Sequence, residues 1–314
     1  MDLVQRLYQG DIRALSRLIS RIEDRQEGFR TVLGELYKRA GHALRIGVTG
    51  PPGAGKSTLV NCLAHHYLDR DKRVGIIAVD PTSPFTGGAL LGDRVRMHEF
   101  PTGGQVYFRS MASRGASGGL SEATNNVTVA LDAFGFDTTL IETVGVGQIE
   151  LDIIDACDVV VVAVVPESGD AVQTMKAGLM EIADVMVVNK SDRPGAESVV
   201  AELRQALRLR KAGPDQWKVP VVGTEATNGK GIDKLTEHID KFVEHQKQTG
   251  AFDIHRRRRV RRMILNILSA RFRKEFLARL SGQIDFDAII DDIHQGRSDP
   301  YLKADELFER FASR

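Results

Sequence analysis

A glycine-rich stretch, GPPGAGKS at 50–57, has the spacing of a phosphate-binding loop, G-x-x-x-x-G-K-[ST]. Glycines let the backbone approach a phosphate closely, and the two prolines lack an N–H, so the donors must come from Gly53 onward. We expect Lys56 to bridge the β- and γ-phosphates of a nucleotide and the Ser57 hydroxyl to bind Mg²⁺. The alternative is a glycine turn that binds nothing, but a strand pattern precedes the loop and a helix pattern follows it.

A second polar motif, NKSD at 189–192, follows another strand-like run. The carboxylate of Asp192 can accept hydrogen bonds from the N1–H and the 2-amino group of guanine, whereas adenine would leave it unpaired. Asn189 would tie the base to the phosphate-binding loop, and the stem of Lys190 would lie against the base plane. The motif is weak alone, because Asn and Asp are common at strand ends. Its position after the phosphate-binding loop favours GTP.

The stretch LIETVGVGQ at 140–148 lies between these two motifs. Glu142 ends a strand pattern and is predicted to contact Mg²⁺ directly or through another ligand, because hard oxygen ligands suit this ion. The N–H of Gly145 would contact the γ-phosphate. An acid in an ordinary strand-end turn is the alternative. A glutamine often follows a glycine at this position directly. In this chain the glutamine is Gln148, which lies three places beyond Gly145.

Two more segments carry acids after strand patterns. VDPTSPFTGGALLGDRVRM at 79–97 is predicted to be a loop that orders around ligand. Its Asp80 is a candidate metal ligand, and Asp93 either positions water or simply starts a helix. The segment 165–184 either passes nucleotide state to a partner or is an ordinary strand-to-helix connection.

The elements that would position these residues alternate between strand and helix patterns. Apolar β-branched runs suit strands buried on both faces, and they occur at 44–50, 73–81, 138–145, 159–165, 184–190 and 219–224. Alternation with helices predicts an α/β fold with a mostly parallel, doubly wound sheet, whose ligand crevice lies at the carboxyl ends of the strands. We predict an N-terminal helical extension at 1–42, a P-loop GTPase domain at 43–247 and a C-terminal helical arm at 248–314.

Composition narrows the classes of function. The chain has 314 residues and a formal net charge of +1, which gives no global case for nucleic acid. The run Arg256–Arg262 lacks interleaved aromatic residues, and a solvated helix face or inter-subunit ion pairs explain it more simply. No apolar run is long enough to cross a bilayer, and we expect neither membrane binding nor a signal peptide. Cys62 and Cys157 are predicted to be small core residues in a reducing cytoplasm.

Taken together, the motifs resemble one family. GPPGAGKST, VDPTSP, TGGALLGDRVRM, ETVGVGQ, QTMKAGLMEIAD and NKSD are similar to the MeaB/ArgK group of GTPases, chaperones of cobalamin-dependent acyl-CoA mutases. The resemblance spans the whole chain. It implies a cytoplasmic GTPase that gates adenosylcobalamin delivery to methylmalonyl-CoA mutase or a close relative and protects or reactivates that mutase. It also implies a homodimer formed through the helical arm.

The resemblance also implies residue roles. Lys176 falls in a switch segment that responds to the mutase, and Asp93, Lys56 and Glu142 form the catalytic set. Mg²⁺ would be held by Ser57, Asp80, Asp93 and Glu142. The remaining candidates would bind GTP or GDP, and they are Gly50, Gly53, Ala54, Gly55, Lys56, Ser57, Thr58, Gly145, Asn189, Lys190, Asp192, Glu225, Ala226 and Thr227.

One motif departs from the family pattern. Relatives often have Ser-Ala in the last guanine loop, where this chain has Glu225-Ala226. The Ala226 N–H can still meet guanine O6, while Glu225 alters the local charge. Because no glutamine follows Gly145 directly, we predict slow intrinsic hydrolysis that a partner accelerates. The alternative functions are a metal-delivery GTPase for metalloenzyme maturation, a nucleic-acid-binding module regulated by GTP, and an ATP-dependent kinase.

Overall fold

A computed structural model of the chain describes residues 2–80, 104–112, 122–143, 153–166, 178–209, 217–280 and 284–312. The chain divides into two compact units, Met1–Arg256 and Arg257–Arg314. The first unit contains every described strand. The division falls inside one long helix, and the domain boundaries drawn from the sequence at 42 and 247 remain predictions.

The first unit is built on a seven-stranded sheet in which every described strand pair is parallel. The strand order is β3-β2-β4-β1-β5-β6-β7. The strands are β1 (Leu44–Thr49), β2 (Val74–Asp80), β3 (Val106–Ala112), β4 (Thr138–Thr143), β5 (Val159–Val164), β6 (Val185–Asn189) and β7 (Val221–Thr224). The α/β, doubly wound parallel fold predicted from the sequence is confirmed.

Strand β3 was missed by the sequence analysis, which predicts six strands. It pairs only with β2 at one edge of the sheet. Its sequence, VYFRSMA, interrupts the apolar run with a charged residue and a serine. The Arg109 Nε donates to Glu23 Oε2 at 3.0 Å, so an edge strand tolerates this arginine because a neighbouring helix supplies a carboxylate.

Helices pack on both faces of the sheet, and two separate cores result. In β5, Val160, Val162 and Val164 face one core, and the alternate residues Val159, Val161 and Ala163 face the other. A strand buried on both faces is apolar at every position, which explains the run VVVVAV. The helices that contribute buried residues to the first core include α1 (Leu3–Tyr8), α2 (Ile12–Glu23), α3 (Phe29–Tyr37), α5 (Glu122–Phe134) and α7 (Ala196–Leu209).

The second core lies beneath α4 (Lys56–Leu68) and α8 (Ile232–Gln248). A short helix, α6 (Leu179–Ile182), precedes β6. The Asp11 carboxylate accepts from the N–H groups of Arg13 and Ala14 and caps α2.

The second unit is helical in its described part, as the sequence analysis predicts for the tail. Helix α9 (Ala251–Leu280) begins in the first unit, and α10 (Phe286–His294) and α11 (Pro300–Ala312) follow it. Within this unit the ring of Phe311 contacts those of Phe272 and Phe276, with centroids 5.3 and 5.0 Å apart. None of the helices in the described part of the chain is long and apolar enough to cross a membrane.

Candidate functional site

The loop at 50–57 joins the end of β1 to the start of α4, at the carboxyl edge of the sheet. Gly50, Gly53 and Gly55 have φ values of +139°, +79° and +79°, which side-chain-bearing residues rarely adopt. A Cβ on Gly50 would lie 2.0 Å from the Ala163 carbonyl oxygen. One on Gly55 would lie 2.3 Å from Asn189 Nδ2. All three glycines are therefore favoured by backbone conformation, and Gly50 and Gly55 also by close packing against β5 and β6.

Lys56 is the first residue of α4 and its side chain folds back over the loop. It is 6% exposed, and its Nζ donates to the carbonyl oxygens of Gly50 at 2.8 Å and Pro51 at 2.9 Å. The ammonium group is thus held at the helix amino terminus, where the helix dipole also favours an anion. A cation in so buried a position attracts phosphate more strongly than one in bulk water.

Ser57 and Glu142 meet although 85 residues separate them. The Ser57 hydroxyl donates to Glu142 Oε1. Glu142 is 8% exposed, and its backbone pairs with Val48 of β1 and Ala78 of β2. Beside them, the Thr143 and Thr49 hydroxyls lie 2.8 Å apart. A hydroxyl and a carboxylate at the mouth of the phosphate-binding loop are the hard oxygen donors that fit Mg²⁺.

Other residues of the predicted metal and switch set are only partly described. Asp80 is the last residue of β2, next to β4 in the sheet, and its side chain lies outside the described part. Asp93, Gly145, Gln148 and Lys176 also lie outside the described residues. Their roles stay predictions.

Asn189 ends β6 and connects three segments of the predicted guanine site. Its Nδ2 donates to the Ala54 carbonyl oxygen at 2.9 Å, and its Oδ1 accepts from the Thr224 hydroxyl at 3.1 Å and the Ala226 N–H at 3.2 Å. The side chain is 2% exposed. Asn189 therefore ties the phosphate-binding loop to the loop after β7. Its expected contact with a guanine base stays a prediction.

Lys190 and Asp192 follow in the turn after β6. Lys190 has a φ of +56°, and its Nζ donates to the Gly53 carbonyl oxygen at 3.0 Å. This contact places the lysine side chain between the turn after β6 and the phosphate-binding loop. Asp192 is exposed, which leaves its carboxylate open to a ligand. The backbone N–H of Ser191 donates to the Thr224 carbonyl oxygen at 2.9 Å and holds the turn against β7.

Glu225, the departure from the family pattern, is held within its own loop. Its carboxylate lies 2.9 Å from Lys230 Nζ and accepts from Asn228 Nδ2 at 3.3 Å. The hydrogen bond from Lys230 is the main reason that the pKa of Glu225 is lowered. Because Lys230 compensates the extra negative charge, Glu225 places little net charge in the loop. Thr227, next in the loop, is exposed.

Ala226 has a hydrogen bond at each of its backbone groups. Its N–H donates to Asn189, and its carbonyl oxygen accepts from the Cys62 thiol at 2.9 Å. The expectation that the Ala226 N–H meets guanine O6 remains a prediction, since in this structure the donor is bonded to Asn189. Cys62 is half-buried rather than a full core residue, and burial raises the pKa of its thiol.

Sequence reasoning missed several residues that shape this site. Thr224 and Lys230 lie within the guanine loop and Cys62 contacts it, yet none of the three was predicted to be a site residue. Lys230 follows Glu225 by five residues across a glycine turn, and that spacing of opposite charges was a usable signal. No comparable signal marks Cys62, which lies 164 residues from its partner.

The geometry at the ends of β1, β4 and β6 joins a phosphate-binding loop to a guanine-type loop, and comparison with known families agrees with this arrangement. The profile of the family described as "Methylmalonyl Co-A mutase-associated GTPase MeaB" matches residues 12–281. The chain belongs to the MeaB family of GTPases. Proteins related to this MeaB-family chain are themselves named GTPases, and this chain is a GTPase.

Three relatives and one solved structure illustrate the similarity. A protein of Pyrococcus horikoshii named as a GTPase is 45% identical over 315 residues, or 100% of this chain and 98% of its own length. GTPase ArgK of Escherichia coli is 32% identical, over 91% of this chain and 87% of ArgK. The mitochondrial methylmalonic aciduria type A homolog of Mus musculus is 33% identical, over 86% and 66%. A crystal structure of "LAO/AO transport system kinase" has the same fold, with a TM-score of 0.74, 24% identity and coverage of 99% and 96%.

Proposed function

We propose that this GTPase gates the delivery of adenosylcobalamin to a cobalamin-dependent acyl-CoA mutase and protects or reactivates that mutase. Methylmalonyl-CoA mutase is the first partner to test. The observation that carries this proposal is the family match over 12–281, whose description names association with that mutase. The name of the mouse relative points to the same area of metabolism.

The nucleotide is proposed to lie along the carboxyl edge of the sheet. Its phosphates would rest on the loop at 50–57 and on Lys56, and its guanine would lie between Lys190 and Asp192. The contacts of Asn189 with Ala54, Thr224 and Ala226 support this placement, because they hold both loops at a common edge. Asp192 would accept two guanine donors, which adenine cannot supply.

Mg²⁺ is the cation proposed for this site. Ser57 and Glu142 would hold it, and Asp80 and Asp93 are proposed to complete the set. When bound, the ion neutralises charge on the β- and γ-phosphates. Lys56 keeps its own positive charge at the phosphate-binding loop, so the protein contributes a second source of electrostatic stabilisation there.

Hydrolysis is proposed to be slow until a partner completes the site. Gln148 does not directly follow Gly145, so no glutamine is placed by that glycine to orient water. Unassisted switch GTPases turn over at about 10⁻⁴ per second, and a partner that orders the site adds several powers of ten. Asp93 is proposed to position water, and Lys176 to respond to the mutase.

The test is GTP turnover by the purified protein, alone and with the methylmalonyl-CoA mutase of the same organism. ATP serves as the nucleotide control, and Lys56→Ala as the inactive control. We expect slow turnover of GTP only, accelerated by the mutase. A rate of GTP turnover that this mutase does not change would exclude methylmalonyl-CoA mutase as the partner. Other cobalamin mutases would then be tested, and after them metal delivery. Fast turnover without any partner would contradict the gating mechanism.

We further propose a cytoplasmic homodimer formed through the segment 248–314, with no role for nucleic acid or membrane. Supporting this, α9 exposes an apolar stripe. Val260, Ile264, Leu268 and Phe272 recur every fourth residue, and each is about half exposed in the single chain. A stripe of this spacing lies along one side of a helix and suits pairing with another helix.

A further inference from the structure

A second cavity lies in the unit Met1–Arg256, away from the nucleotide site. Its volume is about 900 Å³, and its lining includes Leu44 and Thr138, the first residues of β1 and β4. The phosphate-binding loop follows the other end of β1. Six-residue strands span about 20 Å, so the cavity lies at the opposite edge of the sheet. A ligand there would not compete with GTP by overlap.

Basic side chains outnumber acidic ones in the cavity lining. It carries six lysine or arginine side chains and three aspartates. The carboxylates are already engaged by the protein. Asp132 accepts from three backbone N–H groups in the segment 41–43, Asp137 accepts from the Arg73 N–H, and Asp240 pairs with Arg70 at 2.9 Å.

Two of the cations have no such compensation. Among the described residues, neither Arg39 nor Lys247 has a carboxylate partner. The Arg39 guanidinium lies over the ring of Tyr8, 3.9 Å from its centroid, and Lys247 Nζ is 5.8 Å from the ring centroid of Phe252. Aromatic faces stabilise a cation without neutralising it, so both charges remain available to an anion.

Tyr67 supplies a second, independent indication of a ligand. It lines the cavity and is 5% exposed, yet its hydroxyl has no hydrogen-bond partner among the described residues. Asp240 and Arg70, which pair with each other, line the same cavity. Burial raises the pKa of Tyr67, which keeps the phenol protonated as a donor. A buried, unpaired donor is costly and calls for an acceptor.

We propose that this cavity binds a phosphorylated small molecule of up to nucleotide size. Phosphate oxygens accept hydrogen bonds from a phenol and pair with guanidinium and ammonium groups, so phosphate groups match the chemistry of Tyr67 and of the uncompensated cations. The volume is typical of a small-molecule site. A concave cavity that includes apolar rings favours such a ligand over an extended acidic peptide.

The experiment is a calorimetric titration with inorganic pyrophosphate of the full chain saturated with GDP and Mg²⁺, so that the nucleotide site is occupied. We expect one further pyrophosphate bound per chain. Lys247→Glu should weaken it by about tenfold or more, the size of a hydrogen bond to a charged group. Lys241→Glu is the matched control, because Lys241 is exposed on the same helix, α8, but does not line the cavity, and it should bind as the wild type does.

Tyr67→Phe separates binding from folding. It removes only a hydroxyl that has no protein partner among the described residues, so we expect a melting temperature equal to or above that of the wild type, unchanged GTP turnover and pyrophosphate affinity reduced about threefold or more. Absence of pyrophosphate binding to the GDP-saturated chain would overturn the proposal. So would wild-type affinity in both Lys247→Glu and Tyr67→Phe, or binding of hexaglutamate in place of pyrophosphate.

Discussion

At the scale of single residues, the predicted nucleotide site depends on side chains that satisfy one another across long stretches of chain. Asn189 uses both ends of its amide to join the phosphate-binding loop to the loop after β7. Lys230 compensates Glu225, the residue that departs from the family pattern. Asp192, whose carboxylate is exposed at the same edge, remains the residue predicted to select the base.

Replacing Asp192 by Asn should therefore change nucleotide choice. The amide keeps one acceptor but loses the charge and the second acceptor, so GTP affinity should fall by about ten- to a hundredfold. Xanthosine triphosphate, which has an oxygen at position 2, should gain relative to GTP. The dissociation constants of both nucleotides, measured by fluorescence titration, check this result.

The control for that change is Glu197→Gln, which removes an exposed acid from α7. It should leave both dissociation constants as they are. Unchanged GTP affinity in Asp192→Asn would show that the base is read elsewhere.

A second residue-scale prediction concerns Cys62, whose thiol donates to the Ala226 carbonyl oxygen. Cys62→Ala removes this donor and should loosen the guanine loop, lowering GDP affinity about two- to tenfold. Cys62→Ser restores a donor of similar size and should recover most of the affinity. Equal affinity in the alanine and serine variants would show that the thiol does not hold the loop. Isothermal titration with GDP measures all three proteins.

At the scale of elements, the parallel sheet places every strand-end motif at one edge, and the opposite edge carries both the basic cavity and structural contacts. The start of α9 is fastened there. Arg256 donates to the carbonyl oxygens of Gly41 at 2.6 Å and Ala43 at 2.9 Å, and its Nε donates to Asp158 at 3.0 Å. The side chain of Asp158 is 0% exposed. One residue of the arginine run thus has a structural role within the first unit.

Arg256→Ala should destabilise the protein strongly, because it leaves a buried carboxylate without its cation. Breaking a buried pair in this way costs about 3–5 kcal/mol of unfolding free energy, which urea denaturation monitored by circular dichroism measures. Arg258→Ala is the control, since Arg258 is exposed on the same helix and should change stability by less than about 0.5 kcal/mol. Similar losses in the two variants would assign the effect to the helix rather than to the ion pair.

At the scale of the whole molecule, the second unit exposes apolar side chains that a solitary chain would not be expected to leave in water. Leu268 is 55% exposed, and Ile264, one helical turn earlier, is 52% exposed. Patches of this kind mark sites of association. The proposed homodimer would cover them.

Leu268→Asp should convert a dimer into a monomer, because it places a charge in the apolar stripe of α9. Sedimentation equilibrium of the wild type and the variant measures the mass directly. Asn266→Asp adds the same charge about 200° around the helix and should remain dimeric. A monomeric wild type, or a dimeric Leu268→Asp, would contradict dimerisation through this surface.

The sequence by itself determined the parts of this protein that depend on local chain conformation. The glycine spacing of 50–57, the apolar runs of the buried strands and the cap at Asp11 each specify a short segment, and motif order indicated the fold and the nucleotide. Strand β3 escaped detection because an edge strand is buried less completely, and its Arg109 obtains a partner only from α2.

Only the tertiary structure decided which distant side chains meet. Ser57 reaches Glu142, Cys62 reaches Ala226, and Arg256 reaches Asp158, over separations of 85, 164 and 98 residues. The basic cavity with Tyr67 is likewise assembled from segments between 38 and 256. Periodicity and motifs describe neighbours along the chain, whereas these contacts arise from sheet order and helix packing, and so no local pattern carries them.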